Sequence, residues 1–198
     1  MKVLLIIAEV LLGLFILSQL VMAGLTLKTE VQPYDVLDSD GNFEICFYPE
    51  ARIATVKKPG NYDQASGAGF RSLAGYIFGG NKEEQKIAMT SPVWMESAND
   101  SMTMHFVMPE SYDLEDLPAP NSSEVQLSET RPIYRAVVRF GGYLSDERIE
   151  KKAEELREWL EKKGIEYVDD PQAAGYNAPM QVVGRRNEVA FVLPNYKK

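Results

Sequence analysis

The chain has 198 residues and a formal net charge of −8, from 29 acidic and 21 basic side chains. An acidic chain without a basic stripe lacks the usual surface for nucleic acid, so we expect no nucleic-acid partner. Cys46 is the only cysteine and His105 the only histidine, which excludes an intrachain disulfide and a zinc site of His and Cys ligands.

The chain begins with a long apolar run. Between Val3 and Leu27 the only charged residue is Glu9, and a bilayer-spanning helix needs ~20 mostly apolar residues. We therefore predict that residues 1–27 form an N-terminal hydrophobic helix that anchors the chain in a membrane. A cleaved signal peptide is the alternative, because Val21–Ala23 resembles a small-residue cleavage site, although such peptides typically have apolar cores of only ~7–15 residues.

The charge beside this helix predicts its orientation. Lys2 and the amino terminus favour a cytoplasmic N-terminus, because positive charge is retained on that side of the membrane. We expect a single-pass membrane protein with its domain on the extracytoplasmic side, or a secreted or periplasmic domain if the segment is cleaved. A polar linker, residues 28–33, then leads into a domain predicted over residues 34–198.

The domain contains the same succession of elements twice. Three pairs of segments match in hydropathy at offsets of 82, 87 and 85 positions: residues 43–64 with 125–146, 86–95 with 173–182, and 105–110 with 190–195. Alternating apolar residues and β-branched content indicate strands. Each copy is therefore predicted as strand, strand, helix, kinked strand, strand, which gives an α+β fold of two pseudo-symmetric repeats.

The kinked strands are predicted from two prolines. Pro92 lies within an alternating segment, and Pro179 occupies the corresponding place in the second copy. Proline cannot donate to a strand ladder, so each must lie at a sheet edge or a bulge. Bulges often border binding sites, which draws attention to these two segments.

The two predicted helices differ in quality. The second, about residues 146–163, is amphipathic, with Ser145 as its cap and Gly164 at its end. The first, about residues 64–78, contains three glycines, each of which costs ~0.8–1 kcal/mol relative to alanine in a helix. The glycines are Gly67, Gly69 and Gly75.

The glycine-rich helix is the candidate ligand site. Its apolar stripe consists of Phe70, Leu73, Ala74 and Ile77, and the glycines leave space for a flat ligand to approach. Tyr176, Pro179 and Met180 are expected near one end of such a groove. Arg185 and Arg186 follow, where they can hold an acidic ligand group bidentately or, alternatively, cap a turn or pair with acidic neighbours.

Other reactive residues favour structural roles. His105 is expected on the strand face opposite Met104 and Phe106, as a surface or partly satisfied side chain, and Cys46 as a small buried residue. We find no nucleophile motif, phosphate loop or paired acid and base in the sequence. The chain is therefore interpreted as a binding module and not an enzyme.

Five stretches between about Val31 and Leu193 resemble the SOUL family of haem-binding proteins: "FEICFYP", "KIAMTSPV", "VVRFGGY", "AGYNAPM" and "GRRNEVAFVL". The resemblance implies a distorted antiparallel β-barrel of two pseudo-symmetric halves, each with a helix outside. It is similar in architecture to the effector-binding modules of some bacterial transcription regulators. It also implies haem or another tetrapyrrole held against the first helix.

Carried over by residue, the resemblance places an apolar wall at Phe70, Leu73, Ala74 and Ile77, facing Met180. Tyr176 lies nearby, and Arg71, Arg185 and Arg186 add positive charge. The chain departs from the family where some members have a possible axial histidine, since that position is Phe47. Cys46, Gly75 and Gln181 also replace basic residues of the family pattern.

These departures predict tetrapyrrole binding without strong axial ligation. His105, Tyr176 or a methionine remains a substitute ligand in principle. The alternative is a membrane-tethered module for protein interaction or for another hydrophobic ligand.

Overall fold

The computed structural model describes residues 2–196, which form an α+β fold with a curled nine-stranded antiparallel half-barrel. The elements follow in the order α1 (Lys2–Lys28), β1 (Glu30–Val31), β2 (Asp35–Asp40), β3 (Phe43–Tyr48), β4 (Arg52–Pro59), α2 (Tyr62–Ile77), β5 (Thr90–Ser91), β6 (Val93–Ala98), β7 (Ser101–Val107), a 3₁₀ turn (Leu114–Asp116), β8 (Gln126–Glu129), β9 (Ile133–Phe140), α3 (Asp146–Lys163), β10 (Val168–Gly175) and β11 (Asn187–Val192).

Helix α1 precedes the sheet, and none of its described residues is buried. Its 27 residues span about 40 Å at 1.5 Å per residue, which is long and apolar enough to cross a membrane or to serve as a signal sequence. The predicted linker that follows is itself ordered. Strand β1 pairs in parallel with β5, with Glu30 opposite Thr90, and the indole nitrogen of Trp94 donates to the Gln32 side chain at 2.9 Å.

The large sheet has the strand order β2-β3-β9-β11-β10-β6-β7-β4-β8, and every neighbouring pair is antiparallel. The central pair is β10 with β6. Outward from it, β6, β7, β4 and β8 on one side correspond to β10, β11, β9 and β3 on the other. Two copies of one unit would produce this order, and the duplication itself stays a prediction.

The curl of the sheet is evident from a contact between distant strands. Four steps separate β3 from β6, which is about 19 Å in a flat sheet at ~4.8 Å per step. The rings of Tyr48 on β3 and Trp94 on β6 nevertheless lie 5.7 Å apart, edge to face. Their side of the sheet, with Val137 and Ala190, is therefore the inner face of the half-barrel. Strands β2 and β8 are its two open edges.

Both longer helices of the domain pack on the outer face. Helix α2 covers β4, β7 and β6, and α3 covers β9, β11 and β10. The side chains that α2 buries against the sheet include Leu73 and Ile77, and those that α3 buries include Leu156 and Leu160. Helix α3 begins and ends as predicted, with Ser145 accepting from a backbone N–H and Gly164 in the left-handed conformation at φ 66°.

The prediction of a second kinked strand, at Pro179, is wrong. Pro92 follows the short strand β5 and directly precedes β6. Pro179, in contrast, lies in the loop after β10, because the chain leaves the sheet at Gly175. Since Gly175 pairs with Val93 and the two strands are antiparallel, both prolines still lie at the same end of the central strand pair.

The helices α2 and α3 stabilise each other where they begin. The carboxylate of Asp146 accepts hydrogen bonds from the backbone N–H groups of Tyr62 and Asp63, at 3.1 and 2.9 Å. The Asp63 carboxylate accepts one bond in return, from the N–H of Asp146 at 3.3 Å. Each aspartate therefore places a negative charge at the positive end of the other helix, in addition to the caps Asn61 and Ser145.

We predict that Asp146→Ala lowers the free energy of unfolding by about 1–2 kcal/mol, because it removes the partner of two helix-terminal N–H groups. Asp63→Ala is expected to cost less, since Asp63 accepts a single, longer bond. Denaturant unfolding of the full chain in detergent, followed by tryptophan fluorescence, measures both changes. Equal costs for the two variants would contradict this account of the helix starts.

Candidate functional site

A groove of about 410 Å³ lies beside helix α2, at the end of the β6–β10 pair that carries the two prolines. Its apolar lining comes from the helix, the central strands and the segment before α3: Phe70, Val93, Met95, Met104 and Leu144. Its polar lining comes from Tyr62, Arg71, Tyr143 and Arg185. This volume falls within the ~300–1,000 Å³ range of small-molecule sites.

A second cavity of about 180 Å³ adjoins the groove on the side of helix α1. Met22 and Leu25 of α1 form one wall, and the segment Tyr176–Pro179 forms another. Phe70 and Val93 line both spaces. The groove and this cavity are therefore adjacent, and we call the two together the α2–α1 cleft.

The direction of each α2 side chain follows from helical periodicity. Ala65, Gly69 and Leu73 face the sheet and are buried. Phe70 and Arg71 follow Gly67 by three and four residues, so all three share the side of the helix that faces the groove. A Cβ on Gly69 would lie 3.0 Å from the Met102 methyl carbon. Gly69 thus permits close packing of the helix on the sheet, while Gly67 leaves the groove wide.

The predicted binding residues are divided between the cleft and other places. Phe70, Arg71 and Arg185 line the groove, and Tyr176 lines the cavity beside α1. The others lie elsewhere: Leu73 and Ile77 in the core, Ala74 half-buried outside both spaces, Met180 on the surface and Arg186 in contact with Glu188. The apolar stripe predicted for α2 therefore combined core residues with one groove residue, Phe70.

The sheet residues that line the groove were not predicted as binding residues from the sequence. Val93 and Met95 come from β6, Met104 from β7 and Leu144 from the segment before α3. Met95 and Met104 are directly paired across β6 and β7, so one strand register brings their thioethers together. Alternation in β6 and β7 predicts which of their residues share a face, but not that α2 leaves this part of the face uncovered.

Arg185 has a structural role at the rim of the groove. Its guanidinium donates to the carbonyl oxygens of Ala178 and Gln181 at 2.9 and 2.7 Å, and to that of Gly142 at 3.2 Å. It also lies 4.4 Å from the ring centre of Tyr143. The turn-capping role considered for this arginine is the one observed, and the charge remains at the cleft.

Residues 29–192 match the family described as SOUL heme-binding protein. The chain belongs to the SOUL haem-binding family. Heme-binding protein 2 of Mus musculus is 29% identical over 172 residues, which cover 82% of this chain and 83% of that protein. Heme-binding protein 1 of Xenopus laevis is 30% identical over 161 residues, covering 77% and 84%. The resemblance found in the sequence is thereby confirmed.

Solved structures show kinship of fold. A structure titled as a hydrolase from Listeria innocua superposes with a TM-score of 0.56 at 13% identity, covering 79% of this chain and 94% of that one. The EcmrR C-terminal domain gives a TM-score of 0.51 at 12% identity, covering 80% and 96%. At these identities the likeness concerns architecture alone.

The groove of this SOUL protein has a mainly apolar lining, and its possible iron ligands are methionine and tyrosine side chains. Its walls are aromatic, aliphatic and thioether side chains, with Arg71 and Arg185 as cationic groups. Among the residues that line the groove, none is histidine or cysteine. Within residues 2–196 no three His, Cys, Asp or Glu side chains cluster as metal ligands. Met95 and Met104 provide only soft, weakly donating sulfur.

A polar cluster on the inner face holds the loop that follows β10. The buried Glu188 carboxylate accepts from the Tyr176 hydroxyl at 2.8 Å and pairs with Arg139 at 3.1 Å and Arg186 at 2.6 Å. The hydroxyl of Tyr34 accepts from both arginines. Burial, together with the neighbouring Glu188 charge, raises the pKa of Tyr176 well above its ordinary value, so its phenol stays protonated.

His105 lies on the inner face, opposite Met104 and Phe106 as predicted, but the expected surface position is wrong. It is buried and pairs with Trp94 across β6 and β7. Burial, with a smaller contribution from the positive charge of Arg135, lowers the pKa of His105 to about 3. Because it faces away from α2, it cannot reach the groove as an axial ligand.

The depressed pKa of His105 makes stability depend on pH. The unfolded chain binds a proton at this side chain below about pH 6.5, whereas the folded chain does so only near pH 3. Unfolding is therefore favoured as the pH falls, by up to ~1.4 kcal/mol per pH unit between these values. Between pH 7 and pH 5 this amounts to about 2 kcal/mol.

We predict that His105→Gln removes about 2 kcal/mol of the stability loss between pH 7 and pH 5. Parallel denaturant titrations of the two proteins at both pH values measure it. Their difference isolates His105 from the carboxylates, which titrate in both. An identical pH dependence would show that His105 has an ordinary pKa in the fold.

Proposed function

We propose that this SOUL protein binds haem or a related tetrapyrrole in the α2–α1 cleft, without a strong axial ligand, and holds it at a membrane surface. The observation that carries the proposal is the open, apolar groove at Gly67, with a cationic side chain at Arg71. Both lie on the helix that the family resemblance associates with tetrapyrrole binding.

The charges around the groove suit an acidic, planar ligand. Arg71 is exposed, and its side chain makes no hydrogen bond or ion pair within residues 2–196. Its guanidinium is therefore available to pair bidentately with a carboxylate such as a haem propionate. Arg185 adds a second positive charge, and three of its five N–H donors are used by backbone carbonyls. Arg71 and the apolar lining of the groove would hold haem there, and the bound group would supply an iron centre.

Apolar contact has to provide most of the affinity. Burying ~300–400 Å² of apolar ligand surface is worth about 8–10 kcal/mol at ~25 cal/mol per Å², and association costs at least ~4 kcal/mol. A net of about 4–6 kcal/mol plus one or two charge-assisted bonds of ~1.5–3 kcal/mol each corresponds to roughly micromolar binding. Such affinity is appropriate for transient holding and not for a permanent redox centre.

The N-terminal helix supports a tethered location for this binding. We propose that α1 crosses the membrane once, with Lys2 on the cytoplasmic side and the domain on the other side. Signal-peptide cleavage after this segment is the competing possibility. Since α1 contributes Met22 and Leu25 to the cleft, an uncleaved helix also completes the binding site. No acid–base pair lines the groove, so we propose a non-enzymatic role.

The competing role, a protein-interaction module, requires an apolar surface away from the cleft. In the described domain, exposed large apolar side chains such as Val36, Phe78 and Val168 occur singly, which is normal for a soluble surface. Met180, Val182 and Val183 are grouped in one loop, but that loop contacts α1 beside the cleft. Ligand binding is therefore the function that the surface favours.

A matched pair of glycine substitutions tests the site. We predict that Gly67→Leu fills the groove and weakens hemin binding by roughly tenfold or more, the equivalent of at least ~1.4 kcal/mol. A Cβ at Gly67 meets only the flexible Arg71 end, at 3.5 Å, so the fold is preserved. Hemin titrations of the full chain in lipid nanodiscs, followed in the Soret band, measure the affinity.

Gly75→Leu is the control, because Gly75 lies on the same helix outside the cleft, with open space around its Cβ position. Both variants remove a helix glycine and are expected to gain about 0.5–1 kcal/mol of stability. If both variants weaken hemin binding equally, or if neither weakens it, the groove is not the haem site.

A further inference from the structure

The loop of residues 178–184 presents apolar side chains to the outside, next to helix α1. Met180 is 73% exposed, Val183 65% and Val182 47%. The loop is attached to α1 through Gln19, whose side-chain amide donates to the Met180 carbonyl at 3.3 Å and accepts from the Val182 N–H at 2.8 Å. Thr26 of α1 also donates to the Gln181 side chain at 2.7 Å.

Part of this loop backbone is paired within the protein: four of its seven carbonyl oxygens and two of its six N–H groups. Side-chain donors reach the carbonyl oxygens of Ala178, Met180, Gln181 and Val183. The N–H of Gln181 donates to Ala178 and that of Val182 to Gln19. This pairing lowers the cost of placing apolar side chains of the loop at a lipid boundary, where headgroups and water can bond the remaining backbone groups.

The position of Gln19 along α1 indicates the depth of the loop relative to the bilayer that α1 is proposed to cross. Gln19 precedes the end of the helix at Lys28 by nine residues, roughly 13 Å at 1.5 Å per residue. A hydrocarbon core takes ~20 helical residues, which from Val3 extends to Met22. Gln19 then lies in the last turn of that stretch, where the acyl chains meet the headgroups.

We propose that the 178–184 loop inserts Met180, Val182 and Val183 into the outer boundary of the same bilayer that α1 crosses. This inference rests on the proposed membrane anchoring by α1. The loop and the helix then form two adjacent membrane contacts, which fix the orientation of the domain. Tyr143 and Arg185, an exposed aromatic and a cation stacked beside the loop, are of the residue types that favour the membrane interface.

This orientation determines where the cleft opens. The cavity on the α1 side is lined by Met22 and Leu25 of the helix and by Pro179 at the base of the loop. With both the helix and the loop in lipid, this end of the cleft faces the bilayer surface. A hydrophobic, membrane-partitioned tetrapyrrole then enters from the lipid and not from bulk water.

A fluorescent depth probe on the loop tests the insertion. Full-length protein carrying Val182→Cys is labelled with the dye NBD and placed in vesicles of phosphatidylcholine and phosphatidylglycerol. The native Cys46 stays unlabelled, because it is buried, which raises the pKa of its thiol to about 12. We expect the NBD emission to shift to the blue and to be quenched about twofold by a nitroxide attached near the top of the lipid acyl chain. Val183→Cys provides an independent second position.

Phe78→Cys is the matched control, since Phe78 is an exposed apolar side chain, 62% accessible, that lines neither part of the cleft. It should give aqueous emission without lipid quenching. Flotation with carbonate washing precedes every measurement. A chain that does not float overturns the anchor and this inference together. A floating chain with aqueous emission at Val182 overturns loop insertion alone, and a blue shift without nitroxide quenching shows a protein partner or second copy in place of lipid.

Discussion

The antiparallel pairing of β6 with β10 is the constraint on which the remaining structure depends. It joins the two halves of the sheet, and its register places Gly175 opposite Val93. At that end β10 stops and the chain turns into the loop containing Pro179, while Pro92 enters β6. Within residues 2–196 the pairing of these two strands does not continue past this end, so the outer face beside α2 is left open there. The groove is therefore a consequence of where two strands end, and not of a gap within the core.

The two sides of helix α2 differ: one packs closely on the sheet, and the other keeps the groove open. On the sheet side, Gly69 allows contact with Met102, and Leu73 is completely buried. On the other side, Gly67 and Phe70 face open space. A helix of ordinary propensity, with larger residues at both glycines, would be lifted from the sheet and would fill the groove. The capping box at Asn61 and the contribution of Asp146 compensate part of the glycine cost.

Local patterns made much of the fold predictable, and long-range contacts account for what was missed. The bounds of α3 follow from Ser145, Gly164 and an amphipathic period, all of which are local. The shape of the loop after β10 does not follow from local patterns. It depends on hydrogen bonds that Arg185 and Tyr176 donate to Gly142 and Glu188. The burial of His105 likewise requires the curl of the sheet, which no alternation pattern contains. In the groove, helix periodicity places Phe70 on the apolar stripe of α2 but cannot show which side of α2 the sheet covers.

The inner face offers a physical reason for placing the proposed ligand on the outer side of this half-barrel. Arg135 lies 4.5 Å from the ring centre of Trp94 and donates to Gln172 at 2.8 Å, so its side chain fills the interior. Glu188 is buried between two arginines. A ligand entering there would have to separate such a pair, and leaving one buried charge alone costs about 3–5 kcal/mol. The α2–α1 cleft has no such network to disrupt, and its apolar lining gains from desolvation. Binding beside α2 is therefore favoured by the cost of the alternative as well as by the shape of the groove.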